Sequence, residues 1–242
     1  MASGNHPFAT GPREALNAAL MQGTAEIHRA AERRPFMVAQ FKGELPKEAY
    51  AAYIGRLFYV YVALEEVAEQ LAGDERVGAF HMPTLFRAEK LDKDLTALIG
   101  PDWRSTIPAT PAATAYAEHI REVSREFPPG YIAHHWLRYM GYVLGQNLIR
   151  DLLRKTYGED VPVEFYSYPE IAEPKEFLRS YHATMNGVEL SEEEIARVVT
   201  EGSRAFQLQI DLTDELARDF GVGDVSAEET EALMDELNAK HG

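Results

Sequence analysis

The sequence contains no cysteine and no long apolar run. Without cysteine, the protein has no disulfide, no thiolate metal ligand and no cysteine nucleophile. No apolar stretch approaches the roughly 18 residues that a membrane-spanning helix needs. The N-terminal segment MASGNHPFATG lacks the basic and apolar regions of a secretory signal. From these features we expect a cytoplasmic protein with no membrane anchor.

Basic residues are also few: 24 lysines and arginines stand against 39 aspartates and glutamates, for a net charge of −15. Nucleic-acid binding depends largely on neutralising phosphates, so this charge argues against that class of protein. Residues 213–242 hold nine acidic side chains against Arg218 and Lys240, which is a local charge of −7. We interpret residues 221–242 as an acidic, solvated tail and residues 1–12 as a flexible N-terminus.

Strand-like alternation is hard to find, whereas helical periodicity recurs along almost the whole chain. The first predicted helix ends before Pro35, and the others cover 46–72, 83–99, 110–127, 131–157, 174–185 and 191–220. Ser191 and Glu194 predict a capping box at the start of the last helix. The aromatic stretch at 160–174 predicts an irregular surface loop. These patterns predict an all-α fold with a single domain over residues 13–220.

Two predicted helices carry the clearest functional signal. His28 lies on an amphipathic helix with Glu32 one turn later, and ligating imidazoles commonly donate their second ring N–H to a carboxylate. The alternative is that Glu32 simply faces solvent. Gly141 and Gly145 share one face of a helix in which each costs about 1 kcal/mol of propensity relative to alanine. An imidazole on one helix and a bare backbone on another predict a sandwiched planar metallocofactor.

Sequence motifs for other kinds of catalytic or nucleotide-binding site are absent. The sequence has no HExxH, Walker, GxSxG or GxGxxG pattern. His134 and His135 are adjacent, so on a helix their side chains point about 100° apart and cannot share a metal ion without distortion. The histidine helix and the glycine helix remain as the candidate site.

Several longer segments together resemble the haem oxygenase family. They are TAEIHRAAE followed by PFM, LFYVYVALEE at 57–66, FRAEKLDKDL at 86–95, PDW with IPATPA, RYMG with its second glycine, FLRSYHATMN at 177–186, and AFQLQIDLTDEL at 205–216. Their order and spacing extend over residues 15 to 217, which is far more specific than any one segment. The resemblance implies a helical fold that holds haem between a proximal and a distal helix, with haem as both substrate and cofactor.

The resemblance also implies roles for individual residues. His28 corresponds to the proximal iron ligand, and Gly141 and Gly145 to the distal glycines over the haem. Tyr61 and Arg138 correspond to polar residues of the distal hydrogen-bond network. Glu32 and Phe206 are expected beside the haem.

Tyr142 is the sharpest departure from the family. The family's active enzymes typically carry an aspartate after the first distal glycine, where it orders water. An ionised aspartate only accepts hydrogen bonds, whereas a phenol is neutral near pH 7 and also donates. The alternative is that Tyr142 points away from the haem and packs beside Tyr139 and Trp136.

A second departure concerns the haem propionates. The family's basic residues are missing from the matching positions, which are Met21, Ala25, Leu178 and His182. Nearby Arg179, Lys175 or Arg29 are candidates to replace them, since arginine captures carboxylates through two hydrogen bonds. We therefore expect Met21, His182 and Arg179 near the haem.

The function implied by the resemblance is cleavage of haem at a meso carbon, with O2, to biliverdin, ferrous iron and carbon monoxide. Electrons would come from a ferredoxin, a flavodoxin or a flavin reductase. If such a donor docks electrostatically, the basic residues Arg29, Arg33, Arg34 and Lys42 are the expected patch. Because Tyr142 replaces the acid, two alternatives stay open: a haem protein with peroxidase-like activity, or a non-catalytic haem or bilin carrier or sensor.

Overall fold

The computed structural model describes residues 15–241, except the side chains of residues 234 and 236–241. The predicted flexible segment 1–12 lies outside the described residues. Over the described range the chain forms helices and no strand, which confirms the predicted all-α, single-domain fold. The α-helices are α1 (Leu16–Glu32), α2 (Pro35–Lys42), α3 (Lys47–Leu71), α4 (Ala88–Leu98), α5 (Trp103–Thr106), α6 (Pro111–Glu126), α7 (Gly130–Tyr157), α8 (Pro174–Gly187), α9 (Glu192–Asp219) and α10 (Ala227–His241).

Helix α3 runs through the core and packs against α4, α6 and α9. Its positions Leu57, Val60, Tyr61 and Leu64 have no exposed surface. Helix α7 packs on α9 and α6, and most of its first half is buried. The predicted capping box of α9 is confirmed, because the Ser191 hydroxyl and the Glu194 carboxylate each accept a hydrogen bond from the other residue's backbone N–H.

Helices α1 and α9 approach each other closely because two glycines lie at their contact. A Cβ added to Gly23 of α1 would lie 2.2 Å from Cγ1 of Val199 on α9. A Cβ added to Gly202 of α9 would lie 2.8 Å from Cδ1 of Leu20 on α1. Side chains at these positions would overlap their neighbours in a close-packed interior. This close contact sets the position of α9 relative to α1, the helix that carries His28.

The helix predicted for residues 83–99 begins later than expected. Residues Pro83–Leu85 form a 3₁₀ turn, and the α-helix starts only at Ala88. The cause lies on α3, where the Glu65 carboxylate accepts hydrogen bonds from the backbone N–H groups of Arg87 and Ala88. These donors have no partner within their own helix, so a distant carboxylate caps α4 and sets its start.

The prediction of an irregular surface loop at 160–174 was wrong. Residues Glu164–Tyr166 form a 3₁₀ turn, and Phe165 and Tyr166 are completely buried. The buried carboxylate of Asp94 accepts hydrogen bonds from the backbone N–H groups of Glu164 and Phe165, at 3.0 and 2.9 Å. The guanidinium of Arg87 lies 4.1 Å above the Tyr168 ring. These anchors pull the aromatic segment into the core.

The sequence prediction also missed α2, which begins directly at Pro35. The acidic tail contributes α10, which packs on α2. Glu231 and Glu229 of α10 lie 2.8 and 3.9 Å from Arg33 and Lys42. The proposed boundary after residue 220 stays a prediction. None of the described helices combines the length and apolarity required to cross a membrane.

Candidate functional site

A cleft of about 300 Å³ opens between α1 and α7, with further side chains from α2, α3, α8 and α9. Its apolar lining consists of Met21, Ala31, Met37, Trp136, Leu137, Met140, Leu144, Leu178 and Phe206. Met21 and Leu144 are 52% and 48% exposed, although large apolar side chains are rarely so exposed among the described residues. Exposed apolar side chains that flank a concave site indicate that an apolar ligand covers them.

His28 presents its imidazole to this cleft from α1. Nε2 of His28 lies 3.2 Å from Oε1 of Glu32, and the imidazole stacks on the Phe206 ring at 4.9 Å between centroids. Burial raises the pKa of Glu32, but the contact with His28 and the charge of Arg33 outweigh burial, so this pKa is lowered. An ionised Glu32 therefore pairs with Nε2, and the other ring nitrogen, Nδ1, makes no hydrogen bond within the described part of the chain. The Glu32 side chain is also 44% exposed, so it faces solvent while it pairs with His28.

The opposite wall of the cleft is the glycine helix. A Cβ added to Gly141 would meet no atom within 4 Å, so the backbone there faces open space. Gly145 lies one turn farther along and is not among the lining residues. A Cβ at Gly145 would make only an ordinary contact, 3.6 Å from Cδ1 of Ile149. The bare face of α7 toward the cleft is therefore centred on Gly141.

Tyr142 lines the cleft and occupies the centre of a hydrogen-bond network. Its hydroxyl shares a hydrogen bond of 2.9 Å with the Tyr53 hydroxyl and accepts another from Nη2 of Arg138, also at 2.9 Å. Its ring packs edge-on against Phe165 and Tyr166. The aromatic partners therefore come from the buried 160–174 segment and not from Tyr139 and Trp136.

Arg138 connects this network to the core. It is almost fully buried, and its Nη1 donates a hydrogen bond to Oε1 of Gln209 on α9. The Tyr61 hydroxyl donates to the Arg138 carbonyl oxygen at 2.6 Å. Burial raises the pKa of Tyr61 well above its usual value, although the Arg138 charge opposes that shift. Tyr61 therefore remains a neutral donor that holds the α7 backbone in place.

The structure gathers eight of the eleven predicted site residues around one cleft. They are Met21, His28, Glu32, Arg138, Gly141, Tyr142, His182 and Phe206. The remaining three, Tyr61, Gly145 and Arg179, do not line the cleft, and Arg179 is exposed on α8. Sequence reasoning missed Tyr53 and Gln209. Gln209 lies three residues after Phe206, hence on the same helical face, and this spacing was the available signal.

A flat, mostly apolar group with a metal ion at its centre fits this arrangement. An imidazole with a free ring nitrogen lies on one side, and an unobstructed backbone lies on the other. Haem has this shape and this coordination requirement. Arg138 is the one Lys or Arg side chain among the lining residues, and its charge is already engaged by Gln209 and Tyr142.

Comparison with known proteins agrees with this geometry. The model of the heme oxygenase family matches residues 14–215. The chain is 33% identical to heme oxygenase 2 of Synechocystis sp. over 202 residues, which is 81% of this chain and 81% of that protein. It is 33% identical to heme oxygenase 1 of Bos taurus over 216 residues, which is 87% of this chain and 74% of that protein.

Solved structures give the same result. The crystal structure of Synechocystis heme oxygenase-2 in complex with heme and NO superposes with a TM-score of 0.82 at 28% identity, covering 91% of this chain and 92% of that one. Heme oxygenase-1 of the same cyanobacterium, in complex with heme, gives a TM-score of 0.80 at 25% identity, covering 94% and 99%. This chain belongs to the heme oxygenase family.

Proposed function

We propose that this protein degrades haem, opening the macrocycle at a meso carbon to give biliverdin, ferrous iron and carbon monoxide. The observation that carries the proposal is the imidazole of His28 facing the bare backbone at Gly141 across an apolar cleft. Family membership supports the same conclusion, since the family's members are named for this activity. When bound, haem supplies both the iron that activates O2 and the carbon skeleton that is cleaved.

The residues of α1 hold and orient the substrate in this proposal. His28 ligates the iron, and Glu32 fixes the imidazole orientation through the other ring nitrogen. The Phe206 ring stacks on the His28 imidazole and limits its rotation. Met21 and Leu144 cover the apolar faces at the entrance, which accounts for their exposure. The exposed Arg179, one residue from the lining residue Leu178, is our proposed propionate partner.

The residues of α7 control the other face. The missing side chain at Gly141 lets the backbone approach the haem. Arg138 and Tyr53 hold the Tyr142 hydroxyl. In this proposal the hydroxyl also hydrogen-bonds water or substrate oxygen in the cleft that Tyr142 lines. This network takes the place of the aspartate expected from the family, and it supplies a donor in addition to an acceptor.

Electrons come from an external donor such as a ferredoxin, flavodoxin or flavin reductase. We propose that an acidic donor approaches the basic residues of α1 and α2. In the structure Arg33 and Lys42 are paired with carboxylates of α10, and Arg34 is paired with Asp214 at 2.6 Å. The two α10 pairs are partly exposed and individually weak, so a docking donor competes with α10 for Arg33 and Lys42.

The test is haem titration followed by turnover. The full chain should bind haemin one to one, and His28→Ala should remove the histidine ligation seen in the Soret spectrum. His81→Ala is the matched control, because His81 pairs with Glu69 outside the cleft. In air with ascorbate or a reductase, the haem-loaded protein should form a bilin. Stable haem without bilin would overturn the oxygenase assignment and favour a haem carrier or a peroxidase.

A further inference from the structure

A cluster of potential metal ligands lies on three helices, and none of its residues lines the cleft. His119 of α6, His134 of α7 and Glu201 of α9 each direct one ligand atom to a common point, and these three atoms lie within 4.8 Å of one another. Nε2 of His119 and Nε2 of His134 lie 2.6 and 2.8 Å from Oε1 of Glu201. His134 is completely buried, whereas the side chains of His119 and Glu201 are 24% and 13% exposed.

Burial and hydrogen bonding shift the pKa values of His134 and Glu201 in directions that suit metal ligands. Metal binding needs neutral imidazoles and an ionised carboxylate. Burial lowers the pKa of His134, which keeps its imidazole neutral at pH 7. Burial raises the pKa of Glu201, but the hydrogen bonds from His119 and His134 outweigh burial and hold that pKa at about 2. Glu201 is therefore ionised, and a cation that binds the two Nε2 atoms displaces the protons that they now share with Glu201.

We propose that His119, His134 and Glu201 form a second metal site, separate from His28, that binds a borderline divalent cation such as Zn²⁺. Two imidazoles and one carboxylate with an open fourth position are a recurrent zinc ligand set. The imidazoles select against Mg²⁺ and Ca²⁺, which prefer oxygen ligands. The accessible edge at His119 admits the ion and a water molecule as the fourth ligand.

Small movements bring the ligands to coordination geometry. Bonds of about 2.0 to 2.2 Å in a tetrahedral site separate neighbouring ligand atoms by roughly 3.3 Å. The present nitrogen–oxygen distances of 2.6 and 2.8 Å are shorter, so the cation would push each nitrogen away from the carboxylate oxygen by about 0.5 to 0.7 Å. His119 is the ligand free to move, because it is partly exposed. The competing explanation is a hydrogen-bonded network with no metal.

The experiment uses the full, haem-free chain after chelation, titrated with ZnCl₂ by calorimetry and with CoCl₂ by visible spectroscopy. We expect one Zn²⁺ per chain, a Co²⁺ ligand-field spectrum of a four-coordinate nitrogen and oxygen site, and a raised Tm. His119→Gln keeps a donor for Glu201 but loses the imidazole, and should weaken Zn²⁺ binding at least tenfold. His81→Gln, which alters a histidine–glutamate pair elsewhere, should leave binding unchanged.

The same titration in a second variant shows whether the proposed metal site is independent of the cleft. The titration repeated in His28→Ala should still give one Zn²⁺, because the proposed site does not use the cleft. Binding that is absent at micromolar Zn²⁺, that survives His119→Gln, or that disappears with His28→Ala would overturn the proposal. Haem binding and turnover are measured independently, so either proposal can fail alone.

Discussion

Tyr142→Phe removes one oxygen atom from the centre of the hydrogen-bond network in the cleft wall. In the folded protein that oxygen is bonded to Tyr53 and Arg138, each at 2.9 Å. The change keeps the ring, and therefore keeps the edge-on contacts with Phe165 and Tyr166. The perturbation is thus confined to hydrogen bonding.

The expected loss of folding stability follows from the polar groups of Tyr53 and Arg138 that the substitution leaves without a partner. A buried polar group that loses its partner costs about 1–3 kcal/mol, and water from the cleft replaces part of that loss. We therefore expect a loss of roughly 1–3 kcal/mol, which for a chain of this length lowers Tm by about 2–12 °C. If the hydroxyl also hydrogen-bonds a reacting group, losing one bond of 0.5–1.5 kcal/mol slows bilin formation by up to about tenfold.

The assay compares Tm, haemin affinity and the rate of bilin formation in wild type, Tyr142→Phe and Tyr139→Phe. Tyr139 is the matched control, because it lies on the same helix, is buried, and its hydroxyl has no hydrogen-bond partner in the described part of the chain. We expect Tyr139→Phe to change little. Equal effects of the two substitutions, or a silent Tyr142→Phe, would refute the assignment of Tyr142 as the centre of the network.

Three further outcomes are expected. Gly141→Val should fold normally, since the site for its side chain is empty, but should reduce haemin affinity; unchanged affinity would argue against close backbone approach. Glu229→Gln combined with Glu231→Gln should lower KM for an acidic protein donor and leave ascorbate-driven turnover unchanged, with Glu228→Gln as control; no shift in KM would exclude competition by α10. Glu201 has a folded pKa of about 2, below its unfolded value, so its ionised form stabilises the fold above about pH 4.3 and that stability is lost as pH falls toward 2. Glu201→Gln should therefore flatten the decline of Tm over that range; an equally steep decline would refute this linkage.

Local spacing made one part of the site predictable. His28 and Glu32 are four residues apart on one helix, and Gly141 stands inside a helical pattern where only a close approach justifies it. Such signals need no knowledge of tertiary structure. Helix positions were predictable for the same reason, whereas the start of α4 was not, because its cap is Glu65 of another helix.

The 160–174 segment illustrates the opposite case. Its prolines and irregular pattern suit a loop, and by composition such a loop belongs on the surface. The structure buries its aromatic residues because Asp94 and Arg87 hydrogen-bond to its backbone and Arg87 also stacks on the Tyr168 ring. These two anchors lie 71 and 80 residues from their backbone partners. The ring packing of Tyr142 depends on this segment, so its orientation was equally beyond the sequence.

The absence of a sequence motif excludes only those metal sites whose ligands are close together in the sequence. His134 and His135 have different partners in the structure, as their adjacency predicts. His135 contacts the Tyr181 hydroxyl at 2.8 Å, and burial lowers its pKa to about 3. His134 turns instead toward Glu201, 67 residues away, where His119 also converges. No periodicity links these three positions, because each comes from a different helix. A site of this kind arises only when packing brings separate helices together, so its detection requires coordinates and its confirmation requires metal titration.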